Sequence, residues 1–413
     1  MASYLKRFAD TTLKDRLRLS GAVLIQGAKG CGKTETALQA AKSSIRLDVD
    51  EDISMRMEMN PRSVLEGPVP RLIDEWQEHP QIWNYVRREV DDRKKKGQFI
   101  LTGSANPEER ARLHSGAGRF SIIKMRPMSL FERGWSTGEV SLSNVMKGRP
   151  VKSEPAQFDL KTLAERLTIG GWPSLLNSNS REALRFMQDY AALIAEVDIN
   201  RVSGKKREPQ KVMRLLQSLS RNISTEASLS SLSKDTGIST DETIAEYLDI
   251  LERLMVVEQL PAWNTHIRSA DTLRKAPKRH FVDPSFAIGT LALSTDKLLS
   301  DLNYFGFLFE SLVIRDLRIY ADLHDGKIYH YRDSRNMEID AIVEYPDNTW
   351  AAFEVKMGFS AQDEAAANLL RFTDKIDQKK MGKPAALTVI SANGFACRRK
   401  DGVNVIPLQV LTA

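Results

Sequence analysis

The stretch Gly27-Ala28-Lys29-Gly30-Cys31-Gly32-Lys33-Thr34 decides how the first third of this chain is read. It fits G-x-x-x-x-G-K-[ST] at every fixed position and lies between an apolar run, Ala22–Gln26, and a stretch of helical character. Gly27, Gly30 and Gly32 allow the backbone to fold around phosphate, so that successive N–H groups and the following helix N-terminus face the anion. Lys33 is then placed to reach the β- and γ-phosphates, and the Thr34 hydroxyl to ligate magnesium. ATP and Mg2+ are the cofactors this predicts.

Outward from the P-loop, apolar strands alternate with helix-like stretches, which predicts a parallel sheet with helices on both faces. Five strands are expected: Ala22–Gln26, Ser44–Val49, Arg71–Asp74, Phe99–Thr102 and Phe120–Met125. The third ends Asp74-Glu75, two carboxylates at the edge where ligands bind in open α/β sheets. Asp74 is expected to hold the magnesium through its water shell and Glu75 to polarise the attacking water. The fourth ends Leu101-Thr102-Gly103-Ser104, which brings the small hydroxyls of Thr102 and Ser104 towards the γ-phosphate.

This ordered set resembles the AAA+ ATPases, where the polar end of the fourth strand is called sensor 1. In that family an arginine just before the fifth strand often reaches into the neighbouring subunit's site. Arg119 stands there, with Arg110 and Arg112 in reserve, and its charge would neutralise the transition state. The resemblance thus implies a homo-oligomer, a ring being one form of it. Cys31, inside the loop, sits where many residue types are tolerated.

The chain of 413 residues is long enough for several cores. The expected organisation is a P-loop ATPase core over 1–135, a Gly-, Ser-, Pro- and Lys-rich linker over 136–158, and a helical lid over 159–203 broken at Gly170-Gly171-Trp172-Pro173. A winged-helix-like unit over 204–260, a basic connector over 261–300 and a last α/β domain over 301–413 follow. In the winged-helix-like unit, Gln210–Ser220, Ser228–Asp235 and Asp241–Leu254 are expected as helices, with Gly237 in the turn before the third and a strand or wing over Met255–Leu260. Two cysteines, Cys31 and Cys397, and six scattered histidines support no disulfide framework and no zinc spacing. No apolar run approaches a bilayer's width and the N-terminus has no apolar signal core, so no membrane association and a cytoplasmic location are expected.

In the last domain an amphipathic helix, Phe305–Ala321, precedes expected strands at Lys327–Tyr331, Glu338–Glu344 and Trp350–Lys356. The last two flank Tyr345-Pro346-Asp347-Asn348-Thr349 and predict a hairpin. If it is centred on Asp347, Asp340 lies opposite Glu354, and period-2 alternation puts Lys356 on the same face. Glu310 on the preceding helix could complete a cluster able to hold a second divalent metal, Mg2+ or Mn2+. Asp340…Glu354-Val355-Lys356 with Glu310 is similar to the PD-(D/E)XK nuclease signature; such folds are also used merely to hold DNA. Nearly the whole chain resembles a widespread bacterial and archaeal group of AAA+ ATPases whose C-terminal domain has a nuclease-like fold and no assigned function. Besides the two chemical motifs, Leu72–Gln77, Gly170–Pro173, His280–Pro284 and Phe305–Glu310 carry it.

The net charge of +6 mildly favours a polyanionic partner. The third helix of the middle unit carries Asp241, Glu242, Glu246, Asp249 and Glu252 against Arg253, which opposes major-groove reading. Arg93–Lys96, Lys205–Arg207, Arg274–Arg279 and Arg398–Lys400 are the candidate backbone contacts. The expected function is ATP-driven binding and remodelling of structured or branched DNA with little sequence preference, the C-terminal domain gripping or cutting. The alternatives are a nucleotide-dependent switch or scaffold that binds protein, and an ATP-regulated metal-dependent nuclease.

Overall fold

The computed structural model describes residues 4–104, 116–156, 159–238, 240–264 and 276–413. The chain packs as two compact units: Met1–Pro127 with Asp198–Lys206 and Asp249–Val256, and Met128–Val197 with Arg207–Leu248 and Val257–Ala413.

The first unit runs α1 (Phe8–Leu19), β1 (Ala22–Gln26), α2 (Lys33–Leu38), β2 (Ser43–Arg46), α3 (Ile53–Met59), β3 (Arg71–Asp74), α4 (Ile82–Arg93), β4 (Phe99–Gly103) and β5 (Phe120–Lys124). All five strands are parallel, in the order β2-β3-β4-β1-β5. β1, β3 and β4 are buried at every position, which is why they read as unbroken apolar runs. β4 lies between the P-loop strand and the Asp74 strand, so the C-terminal ends of all three open on one edge. Below them α4 turns Ile82, Trp83, Val86 and Val90 into the core against Phe99 and Leu101. Two strands end short of expectation. The second strand stops at Arg46 rather than Val49, because the Arg46 N–H goes to the Asp50 carboxylate at 2.8 Å and the chain turns away. The fifth ends at Lys124, one residue short of Met125, whose N–H still bonds the Gln26 carbonyl at 2.6 Å.

The second unit begins with β6 (Val140–Ser141) and α5 (Leu142–Met146), then α6 (Leu160–Ile169) and α7 (Ser180–Leu193). Asp159 caps α6 through the Thr162 N–H, and Asn179 with Glu182 forms a capping box on α7. Between them Gly170 takes φ +70°, and a side chain on Gly171 would lie 2.1 Å from the Met128 carbonyl, so both glycines are required. A π-helical turn, Ile194–Asp198, leads into α8 (Ile199–Ser203); Asp198–Lys206 belongs to the first unit.

Three helices follow, α9 (Pro209–Arg221), α10 (Leu229–Thr236) and α11 (Asp241–Arg253), with Gly237 in the left-handed region closing α10. Then come β7 (Val257–Leu260), its antiparallel partner β8 (Lys278–Phe281), α12 (Ser285–Thr290) and α13 (Thr295–Ser300). The connector's Lys278 and Arg279 were expected on an exposed basic stretch. Both are buried in β8, because this short strand carries their side chains into packed carboxylate and carbonyl partners. Arg268, Arg274 and Lys275 lie outside the described residues.

The last portion is built on α14 (Leu302–Asp322), which is buried on all sides from Leu308 to Ala321 rather than amphipathic, because its Glu310, Arg315, Asp316 and Arg318 find buried charged partners. A mixed sheet follows: β9 (Lys327–Arg332), β10 (Glu338–Glu344), β11 (Trp350–Lys356), α15 (Gln362–Lys375), then β12 (Ala386–Ser391), β13 (Cys397–Arg398), β14 (Asn404–Pro407) and β15 (Leu411–Thr412), the last pairing with β6. The six strands run in the order β13-β14-β12-β11-β10-β9. Among the described residues no helix is long and apolar enough to cross a membrane.

Candidate functional site

The nucleotide motif begins where β1 ends. Gly27 can only be glycine, since a Cβ there would lie 2.2 Å from the Met125 carbonyl oxygen. Gly30 and Gly32 take φ of +75° and +101°, the left-handed conformations that turn the loop. Lys33 is buried and donates to the carbonyls of Gly27 and Ala28 at 3.0 Å each, so its ammonium lies across the loop. Cys31 is wholly buried, out of reach of an oxidant in solution.

Asp74 is the hub. Its carboxylate accepts the Thr34 hydroxyl at 2.9 and 3.1 Å and the Thr102 hydroxyl as well. Thr34, Asp74 and Thr102 come from the P-loop helix, β3 and β4, and meet because β4 lies beside β3 with Ile73 level with Leu101. Glu75, the next residue, takes φ +52°, a left-handed conformation uncommon outside glycine. Its carboxylate accepts from the Gln77 amide. Burial pushes the Glu75 carboxyl above its ordinary range, against the pull of Gln77 and of the Lys33 ammonium. Ser104 is buried at the end of the fourth strand.

This donor set fits MgATP. The loop would serve as a backbone cradle, Lys33 would offer a cation to the phosphates, Thr34 and Asp74 would offer oxygens to Mg2+, and Glu75 would offer a carboxylate to water. Bound magnesium would draw charge from the terminal phosphate. The chain's own part would be to fix the phosphates and accept a proton at Glu75.

Arg119 lies elsewhere. It immediately precedes β5, at the N-terminal edge of the sheet and opposite the P-loop, where its Nε bonds Asp91 of α4 at 2.9 Å. It therefore does not reach this chain's own P-loop. Arg110 and Arg112 lie outside the described residues. Two ion pairs that the sequence did not suggest tie the segment Asp198–Lys206 to the motif: Asp198 pairs with Lys29 of the P-loop, and Arg201 with Glu78, just beyond Glu75.

The second cluster lines a cleft of about 650 Å³ in the second unit, and the structure brings Glu310, Asp340, Glu354 and Lys356 together there. The β10–β11 register pairs Ala341 with Phe353, so its continuation sets Asp340 opposite Glu354. A bulge in the β9–β10 pairing lies between Ile339 and Ile342, the stretch that holds Asp340 and Ala341. Asp340 accepts the Val355 N–H at 2.8 Å; Lys356 lies 3.1 Å from Glu354 and 3.9 Å from Asp340. Asn368 of α15 bonds Glu354 at 2.8 Å.

The residue not foreseen is Lys278. Its ammonium sits 2.9 Å from Glu310, 2.6 Å from Glu338 and 3.8 Å from Asp340, with its side chain 4% exposed. Burial pushes the Glu310 carboxyl up to about 7 and the Glu354 carboxyl up to about 8; burial pulls Lys278 and Lys356 down, but the facing carboxylates together outweigh it and hold both lysines above their usual range. Among the described residues no group of three or more His, Cys, Asp or Glu is arranged to hold a metal ion. Counted along the lining, Glu226, Glu310, Glu338, Asp340, Glu354 and Glu364 outnumber Lys278, Arg332, Lys356 and Arg371.

The strand order, the P-loop and the Asp74 hub define an AAA-type P-loop ATPase domain, and the family described as "AAA domain" matches residues 20–133. Two families described as domains of unknown function, DUF8612 and DUF4143, match residues 160–297 and 305–411. An uncharacterized protein of Mycobacterium bovis and one of Mycobacterium tuberculosis are each 24% identical over 359 residues, 85% of this chain and 74% of theirs. Among solved structures the chain is similar to a Walker-type ATPase of Pyrococcus abyssi, at TM-score 0.41 and 10% identity over 70% of this chain and 96% of that one. It is also similar to the Saccharomyces cerevisiae Hsp104-ADP complex, at TM-score 0.26 and 14% identity over 78% of this chain and 46% of that one.

Proposed function

We propose that this AAA-type ATPase couples hydrolysis at Lys33, Asp74 and Glu75 to the holding and remodelling of structured DNA, with little sequence preference. The observation that supports the DNA half is that the hairpin residues Asp340, Glu354 and Lys356 line one cleft with Glu310 from α14, the residue set whose sequence pattern is similar to a nuclease signature. Lys94–Lys96 and Lys205–Lys206 are exposed and suit contacts with a phosphate backbone. Arg119, placed away from its own P-loop, supports an oligomer in which each arginine serves a neighbour's ATP.

The test is ATPase rate against single-stranded, duplex, forked and four-way DNA over a salt series. Stimulation that falls steeply with salt is expected. No stimulation by any of the four at low salt removes the DNA reading and leaves the ATPase standing.

A second reading, a nucleotide-dependent switch or scaffold that binds protein, draws on one observation: the cleft carries more carboxylates than cations, as does α11. A partner pulled down only with ATP, and unaffected by DNA, would favour it.

A further inference from the structure

We propose that Lys278 is a built-in cation of the C-terminal cleft, seated among Glu310, Glu338 and Asp340 where a nuclease-type site would seat a metal, so that this domain holds its ligand without a metal and does not cut. The inference rests on the nuclease-like reading of the hairpin and decides between gripping and cutting.

Lys278 reaches the cluster because β8 pairs antiparallel with β7, Leu260 opposite Lys278. Its ammonium is within 4 Å of three carboxylates and is shielded from solvent. The other donors complete the enclosure. Asp340 also receives the Val355 N–H, and the two oxygens of Glu354 face Lys356 and Asn368. A hard divalent cation needs several oxygens with free lone pairs around a common centre. Here one oxygen each of Glu310 and Glu338 faces Lys278, Asp340 takes the Val355 N–H and both Glu354 oxygens face donors, and a metal approaching Asp340 would meet the positive charge of Lys278 at close range. Moving the lysine aside would strand a buried ammonium without its partners.

The experiment is a Mn2+ titration of the nucleotide-free full chain, followed by electron paramagnetic resonance, in a Thr34→Ala background that removes the P-loop's own metal ligand. No Mn2+ site tighter than millimolar is expected. Lys278→Ala in the same background should create one site in the micromolar to submillimolar range, and adding Asp340→Asn should abolish it. A Mn2+ site already present with Lys278 in place and lost on Asp340→Asn overturns the proposal. So does a folded Lys278→Ala chain that gains no site.

If Lys278→Ala does not fold, the unmodified chain still decides the matter through a gel shift with four-way DNA. An equal shift in EDTA and in Mn2+, with the DNA intact, supports the built-in cation. A shift or cleavage that requires Mn2+ and is lost in Asp340→Asn overturns it. Absence of any shift sinks the DNA reading instead, and the titration then stands alone.

Discussion

The Thr34 hydroxyl donates to the Asp74 carboxylate at 2.9 Å, joining the P-loop helix to the end of β3. The same carboxylate takes the Thr102 hydroxyl from β4, so one side chain ties together the three elements that open on the nucleotide edge. Asp74→Asn keeps the shape, but it weakens the charge that holds Mg2+ and turns an acceptor into a donor facing two hydroxyls. ATP hydrolysis is expected to fall by about a hundredfold or more, with Thr34→Ala falling comparably and the double variant little further. Phosphate release at saturating MgATP measures this; additive losses in the double variant would show that the two residues act separately.

Glu75 is expected to separate binding from chemistry. Glu75→Gln retains the backbone cradle and Lys33, so a fluorescent ATP analogue should bind within a few-fold of wild type while turnover falls about a hundredfold or more. Burial raises the Glu75 pKa, and a base works only when deprotonated. Turnover should therefore rise with pH through a value above the ordinary carboxylate range and flatten above it. A profile already flat from the ordinary carboxylate range upward would remove Glu75 as the base.

Arg119 and Asp91 are paired on an exposed part of the sheet's N-terminal edge. If Arg119 serves a neighbouring subunit, Arg119→Ala alone and Lys33→Ala alone should each lose turnover, while mixtures should regain part of it. Recovery comes from interfaces that join an intact P-loop to an intact arginine. Mixing ratios followed by phosphate release measure this, and no recovery at any ratio in an assembled sample would confine the arginine to a structural role.

The nucleotide edge was legible in the sequence because its chemistry is local. A P-loop is contiguous, and β1, β3 and β4 are buried on both faces, so they read as apolar runs with Asp74, Glu75 and Thr102 at their ends. The hairpin was legible because a turn at Tyr345–Thr349 fixes the register that opposes Asp340 to Glu354. Lys278 was not. It stands in a run of basic residues, and nothing along the chain shows that β8 will lie beside α14. Asn368 carried a faint signal, a polar residue adjoining the buried stripe of Ala365, Leu369 and Phe372 on α15.

His280 gives the pH test of the second unit's core. It lies wholly buried on β8, its Nδ1 3.2 Å from the Ser311 hydroxyl, with the Arg318 guanidinium and the Lys278 ammonium close enough to oppose a further positive charge and Glu258 only partly compensating. Burial first, then those cations, hold its pKa well below the usual histidine value. The unfolded chain therefore binds a proton near pH 6.5 that the folded chain refuses. The stability His280 contributes is full above that pH and is lost as the pH falls below it, at up to about 1.4 kcal/mol per pH unit. Glu310 and Glu354 act with the opposite sign. Their folded pKa values are raised, so their contribution is present at low pH and declines as the pH rises through those values. Total stability mixes these terms, whereas the difference between wild type and His280→Gln isolates one. Urea unfolding from pH 7.5 to 5 should show wild type losing its advantage over His280→Gln steadily below about pH 6.5. A constant difference across that range would mean that the His280 pKa does not change on folding.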